Sequence, residues 1–115
     1  MVVANIRLAR INSTMQTVLA ETIKNELQDE RLKGAIVSVL KVSVTNDLSH
    51  AKINVSIFGV DEKNAFQALL SSVPYLRKAV AKKVQLRIVP ELHFVLDNSL
   101  DYSEKMNKLF DKIKK

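Results

Sequence analysis

Five basic side chains are concentrated in one short stretch of the second half of the chain. They are Arg77, Lys78, Lys82, Lys83 and Arg87, and no acidic residue lies between Pro74 and Val89. Lysine and arginine donate charged hydrogen bonds to phosphate oxygens, so such a cluster can bind a nucleic-acid backbone. A charge run is usually only a solvated helix face. The lack of acids and the net charge of +6 instead favour a polyanionic partner, nucleic acid above all.

The element that carries these side chains is predicted to be an amphipathic helix. Leu76, Val80 and Val84 recur every fourth residue and give it one apolar face. Pro74 suits the first turn of a helix, and it disfavours helical backbone at Val73. The sequence therefore predicts that a preceding helix breaks here and that two helices meet at a kink.

The first half of the chain is predicted to form a helix followed by a hairpin. Apolar residues are three and four positions apart over 4–28, which indicates a long amphipathic helix. The segments 35–45 and 51–58 are rich in β-branched residues and alternate, and turn-forming residues at 46–49 join them. The first strand is expected to bury one side, made by Ile36, Leu40, Val42 and Val44.

The elements after the hairpin complete one α+β domain. Asp61 is predicted to cap the helix before the kink, and residues 90–96 alternate as a third strand. Residues 98–115 are predicted to form an added C-terminal helix. The order is α-β-β-α-α-β with that last helix, which indicates a sandwich with helices on one face of a three-stranded sheet.

Length and composition predict a single cytoplasmic domain over 1–115. The chain contains no cysteine, which excludes disulfides and thiolate metal sites and suits a reducing compartment. No apolar run approaches the length of a membrane span, and the N-terminus lacks the apolar core of a signal peptide. We expect no membrane association.

The first helix carries arginines where a helix does not favour them. Arg7 and Arg10 lie in its N-terminal turns, although the helix dipole prefers negative charge there. The energetic cost is small, about tenths of a kcal/mol. The placement therefore indicates that both arginines serve a partner.

No set of residues predicts catalysis. His50 and His93 each stand alone in the sequence, without a partner at the spacing of metal ligands or of a catalytic triad. Asp47 fits a turn cap better than a catalytic acid. The chain also lacks a nucleotide-binding loop and a nucleophile motif. We predict no enzyme, no cofactor, no metal and no small-molecule substrate.

Three segments carry a resemblance to a known family. The residues at 29–32, 46–56 and 86–99 (ending in Leu-Arg-Ile-Val-Pro-Glu-Leu-His-Phe-Val-Leu-Asp-Asn-Ser) resemble ribosome-binding factor A, in order and spacing. The resemblance covers about residues 5–110. It implies a KH-like domain of type II and a bacterial assembly factor. Such a factor binds the immature small ribosomal subunit, contacts its rRNA, and leaves before translation.

The resemblance also bears on the site. An ordinary KH domain grips nucleic acid with a Gly-x-x-Gly loop, and this chain, with only Gly34 and Gly59, has none. The family replaces that loop by an Ala-x-Gly kink, which here aligns with Ser72-Val73-Pro74. The predicted RNA-binding residues are Arg7, Arg10, Ser72, Arg77, Lys78, Lys82, Lys83 and Arg87.

The protein is therefore expected to be a monomer that assists maturation of the small ribosomal subunit and processing of its rRNA without catalysing a reaction. Two alternatives stay open. The chain could be a generic single-stranded RNA-binding protein of KH-like fold. It could also be a protein-interaction module that binds an acidic partner through its exposed sheet face or edge.

Overall fold

The computed structural model describes residues 2–84 and 86–97. Its elements are α1 (Val2–Asn25), a 3-10 turn (Glu30–Leu32), β1 (Ile36–Val44), β2 (His50–Phe58), α2 (Glu62–Ser71), α3 (Val73–Val84) and β3 (Glu91–Leu96). The predicted α-β-β-α-α-β order is confirmed, and the predicted helix over 98–115 lies outside the described residues. No helix in the described part of the chain is both long and apolar enough to cross a membrane.

The three strands form one mixed sheet in the order β1-β2-β3. β1 and β2 are antiparallel, as expected of a hairpin, whereas β2 and β3 are parallel. A parallel pair needs a long crossover connection, which α2 and α3 provide here. The register places His50 opposite Glu91 and Lys52 opposite His93. Residues distant in sequence are thereby brought onto the same face of the sheet.

The helices cover one face of this sheet, and the core lies between the two layers. Alternate residues of β2 point into it, and all four are at most 1% exposed: Ala51, Ile53, Val55 and Ile57. Met15 and Leu19 of α1 pack against them, as do Leu76 and Val80 of α3. Burial of each large aliphatic side chain contributes about 1.5–3 kcal/mol. The apolar faces of the helices and of the sheet therefore pack together in one core.

The predicted core face of β1 is partly wrong. Ile36 is 65% exposed and Leu40 is 44% exposed, while Val39 is buried. The pairing with β2 shifts between Val39 and Lys41, which is a β-bulge at Leu40. A bulge inserts one extra residue and reverses the alternation on its N-terminal side. The strict alternation assumed from the sequence therefore holds only for the C-terminal part of the strand.

Two polar side chains of α1 reach the backbone of β1. Gln16 Nε2 donates to the carbonyl of Val39 at 2.9 Å, next to the bulge. The backbone N–H of Val44 donates to Asn12 Oδ1 at 2.9 Å. Buried or half-buried backbone groups need such partners. These two contacts fix where α1 lies along the strand.

The turn between β1 and β2 is organised by Asp47. Its Oδ1 accepts hydrogen bonds from the hydroxyl of Thr45 at 2.8 Å and from the hydroxyl and N–H of Ser49 at 2.7 and 3.1 Å. These contacts confirm the predicted turn. Positive φ falls on Leu48, at 62°, although asparagine and aspartate tolerate this conformation better than leucine does. The half-buried Leu48 packs against the core, which helps hold this conformation.

Candidate nucleic-acid interface

The predicted helix break before α3 is confirmed, but it falls at Ser72; the expectation that Pro74 keeps Val73 out of a helix is wrong, because Val73 is the first residue of α3. Ser72 alone separates α2 from α3, and Pro74 lies in the first turn of α3. The N–H of Leu76 donates to the carbonyl of Ser72 at 2.9 Å, which starts the new helix. The Ser72 hydroxyl donates back to the carbonyl of Ala68 at 2.8 Å. That side chain is half-buried and serves the end of α2.

α3 directs its lysines outwards because its opposite face is anchored. Leu76 and Val80 are fully buried against the sheet and α1. Lys78 and Lys82 are exposed and four residues apart, so they lie on one face of the helix. Neither side chain has a hydrogen bond or an ion pair to any described residue. Both ammonium groups can therefore reach a phosphate without breaking an internal contact.

Arg77 is used within the fold. Its Nη2 donates to the carbonyl of Val89 at 2.9 Å, so it ties α3 to the segment that leads into β3. A guanidinium has five N–H donors, and the residue remains exposed. Arg77 can still meet a phosphate, but its position is set by the protein itself.

Lys83 is also engaged, in a network centred on Glu26. The Lys83 ammonium lies 3.3 Å from Glu26 Oε2, and the hydroxyl of Tyr75 donates to Glu26 Oε1 at 2.6 Å. The hydrogen bond from Tyr75 and that from Lys83 lower the pKa of Glu26 below its ordinary value. The same bond raises the pKa of Tyr75. One of the predicted RNA-binding lysines is therefore already paired with an acid.

The remaining predicted arginines are exposed at two separate places. Arg87 lies in the segment between α3 and β3, and Arg7 and Arg10 lie in the first turns of α1. None of the three has a hydrogen bond or ion pair to the described residues. Arg10 is 16 residues from Glu26, about 24 Å along the helical rise. The arginines of α1 thus form a basic patch apart from the Glu26–Lys83 contact.

Sequence reasoning missed two further basic residues. Lys41 and Lys52 are exposed on the face of the sheet that the described helices leave open. In the register, Lys41 pairs with Asn54 and Lys52 pairs with Ser43. The alternation of the two strands was a usable signal for both residues, because it places Lys41 and Lys52 on the side opposite the buried Val42 and Ile53.

The prediction that His50 and His93 each stand alone is wrong. The parallel pairing of β2 with β3 brings His50 Nδ1 to 2.9 Å from His93 Nε2. The two rings are tilted, with centroids 5.1 Å apart. Forty-three positions separate these residues in the chain, so no local spacing could reveal the contact.

Comparison with known proteins gives one consistent result. The family model for ribosome-binding factor A matches residues 7–110. The chain is 42% identical over 112 residues to the ribosome-binding factor A of Clostridium kluyveri, with 96% of this chain and 92% of that protein covered.

Solved structures agree with this match. The crystal structure of ribosome-binding factor A from Thermus thermophilus has a TM-score of 0.70 at 29% identity, over 80% of this chain and 98% of that one. A homology model of the Thermus thermophilus factor, fitted into a cryo-EM map of a 30S complex with that factor, has a TM-score of 0.62 at 31% identity, over 73% of this chain and 88% of that one. This chain therefore belongs to the ribosome-binding factor A family.

Proposed function

We propose that this protein binds the immature small ribosomal subunit, contacts its rRNA, and assists maturation of the subunit and processing of that rRNA without catalysing a reaction. A member of the same family has been fitted into a 30S complex, which supports the subunit as the partner. Binding would hold an immature RNA conformation until neighbouring segments have folded.

The observation that carries the RNA contact is the pair of exposed lysines on one face of α3. Lys78 and Lys82 share one helix face and make no hydrogen bond or ion pair to a described residue, and Arg87 extends the positive charge beyond the helix. Phosphate contacts of this kind supply affinity without reading sequence. Arg7 and Arg10 would add a second contact. Arg77 would reinforce the first while keeping its internal partner, and Lys83 would reinforce it when released from Glu26.

We further propose a KH-like domain of type II spanning 1–115, acting as a monomer in the bacterial cytoplasm. The α-β-β-α-α-β order and the single-residue break between α2 and α3 support this assignment. Ser72 and Pro74 form that break, where an ordinary KH domain has its Gly-x-x-Gly loop. We expect backbone groups near Ser72 to approach the RNA there.

The test combines salt dependence with sedimentation. Binding of rRNA should weaken linearly in log affinity against log salt, because each phosphate contact releases counterions. Changing Lys78→Gln together with Lys82→Gln should make that slope shallower by about 1.4–1.8, at about 0.7–0.9 per contact. The same double variant should move from the small-subunit fractions of a sucrose gradient towards the top. Lys83 is left intact because its loss would also disturb Glu26.

The matched control changes Lys33→Gln together with Lys63→Gln, which removes the same charge from exposed positions outside α3. It should keep its slope and its position in the gradient. Equal behaviour of the two double variants would mean that Lys78 and Lys82 are only solvated. Subunit binding that survives nuclease treatment would favour a protein partner, and equal affinity for free RNA and precursor subunits would favour a generic RNA binder.

A further inference from the structure

The open face of the sheet carries a cluster of two histidines and one glutamate, which is separate from the basic residues of α3. His50 begins β2, and Glu91 and His93 are two positions apart on β3, so both point to the same side of that strand. The parallel register places His50 directly opposite Glu91. All three side chains are about half exposed, and their donor atoms converge above the sheet.

Three donor atoms of this cluster lie within 3.7 Å of one another. His50 Nδ1 lies 2.9 Å from His93 Nε2 and 3.3 Å from Glu91 Oε2, and His93 Nε2 lies 3.7 Å from the same carboxylate oxygen. Ligands of a tetrahedral zinc ion, each about 2.1 Å from the metal, are about 3.4 Å apart. The mean edge of this triangle is therefore close to that of a zinc site.

The position of an ion can be derived from these distances. A point about 2.1 Å from all three atoms lies about 0.8 Å out of their plane, close to the roughly 0.7 Å of a regular tetrahedron. One ion could thus lie within coordination distance of all three donors. The fourth coordination position would be filled by water or by a group of a partner.

We propose that His50, Glu91 and His93 form a binding site for a divalent first-row transition metal ion of the zinc class. Two imidazole nitrogens and one carboxylate oxygen are a ligand set that suits Zn²⁺ and its neighbours, whereas Mg²⁺ and Ca²⁺ favour oxygen ligands alone. The donors come from two hydrogen-bonded strands, whose pairing includes a bond from the N–H of Glu91 to the carbonyl of Ser49 at 3.0 Å. The backbone of the site is therefore fixed before metal arrives.

One neighbouring charge opposes the ion. Lys52 is opposite His93 in the register and is exposed on the same face of the sheet. Its ammonium group repels a cation, so replacing it should strengthen metal binding. If the two histidines were only hydrogen-bonded to each other and bound no metal, replacing Lys52 would not change Zn²⁺ affinity. Replacing Lys52 should therefore change Zn²⁺ affinity in the opposite direction from replacing either histidine.

The composition of the chain makes the site simple to test. These are the only two histidines of the whole sequence, and there is no cysteine. Isothermal titration of the full chain with ZnSO₄, in a buffer that does not bind metal, should give one ion per chain. The imidazole NMR signals of both histidines should shift together at that stoichiometry. Signals that stay in place on addition of Zn²⁺ would overturn the proposal.

Three single variants complete the test. His50→Asn and His93→Gln should each weaken Zn²⁺ binding by at least about tenfold, since loss of even an outer-shell partner costs 10–100-fold at metal sites. Lys52→Gln should bind Zn²⁺ more tightly than the unmodified protein does. Far-ultraviolet circular dichroism should show the same fold in all three. Zn²⁺ affinity that is equal in the histidine variants and the unmodified chain would place the metal elsewhere and refute the site.

Discussion

The hydroxyl of Tyr75 donates a 2.6 Å hydrogen bond to the carboxylate of Glu26, which joins the first turn of α3 to the residue that follows α1. The second carboxylate oxygen of Glu26 lies 3.3 Å from the ammonium of Lys83, near the end of α3. One acid thus contacts residues at both ends of the basic helix. It fixes the helix against α1 and also neutralises part of its charge.

Glu26→Gln should therefore strengthen RNA binding while it lowers stability. Without the carboxylate, Lys83 is free to meet a phosphate, so the salt slope should steepen by up to about 0.7–0.9. The melting temperature should fall, because Tyr75 and Lys83 lose a charged partner. Glu21→Gln removes an exposed acid of α1 that has no described partner, and it should leave both the slope and the melting temperature unchanged. A slope that is the same in both variants would mean that Lys83 does not contact RNA.

Pro74→Gly should destabilise the protein by about 0.5–1 kcal/mol, because glycine gives the unfolded chain more conformational freedom. Urea denaturation would measure this loss. Binding to the small subunit should be retained, since the break between α2 and α3 also depends on the contacts of Ser72. Pro74→Ala is the control and should lose less stability. If the glycine variant folds but no longer co-sediments with the subunit, the proline itself shapes the binding site.

Gln16→Ala tests the link between α1 and the bulged strand. The variant loses the 2.9 Å bond to the carbonyl of Val39, and we expect a cost of about 1 kcal/mol in the free energy of unfolding. Gln67→Ala, at an exposed site of α2, should cost less, because alanine is the better helix former. RNA affinity should be unchanged in both. Equal stability of the two variants would show that the Gln16 contact contributes nothing.

Asp47→Asn should destabilise the protein at neutral pH, and the deficit should shrink in acid. Hydrogen bonds from the hydroxyls of Ser49 and Thr45 and from the N–H of Ser49 lower the pKa of Asp47 to about 2. A depressed pKa stabilises the fold above the ordinary value of 3.8, and this contribution is lost as the pH falls towards 2. Thermal melts of the unmodified protein and of the Asp47→Asn variant between pH 7 and 2 would measure how the difference in stability changes with pH. A deficit that does not change with pH would assign the loss to geometry and not to charge.

Chelation should leave the fold intact. The core consists of apolar residues from α1, α2, α3 and the sheet, and the proposed zinc ligands lie on the opposite face. Thermal melts of the purified chain with and without EDTA should coincide when no metal is added. Saturating Zn²⁺ should raise the melting temperature by mass action, and EDTA should remove only that increase. A fall below the metal-free melting temperature on chelation would show that the fold depends on a metal.

Local sequence patterns determined the secondary structure and most of the core. The apolar spacing of α1, the alternation of β2, the cap at Asp61 and the break before Pro74 are each set within a few residues, so they could be predicted directly. The segments that resemble ribosome-binding factor A were equally visible, because a family signature is a property of the chain. Those predictions needed no knowledge of which strands are neighbours.

Tertiary structure alone decided which polar side chains far apart in the sequence contact each other. The bulge at Leu40 depends on pairing with β2, so the alternation of β1 pointed Ile36 to the wrong face. Lys83 and Glu26 are 57 positions apart, and His50 and His93 are 43 apart. Helix packing joins the first pair and the parallel strand register joins the second. The physical reason is that packing and strand pairing bring distant segments together, whereas periodicity reports only which side of one segment is buried.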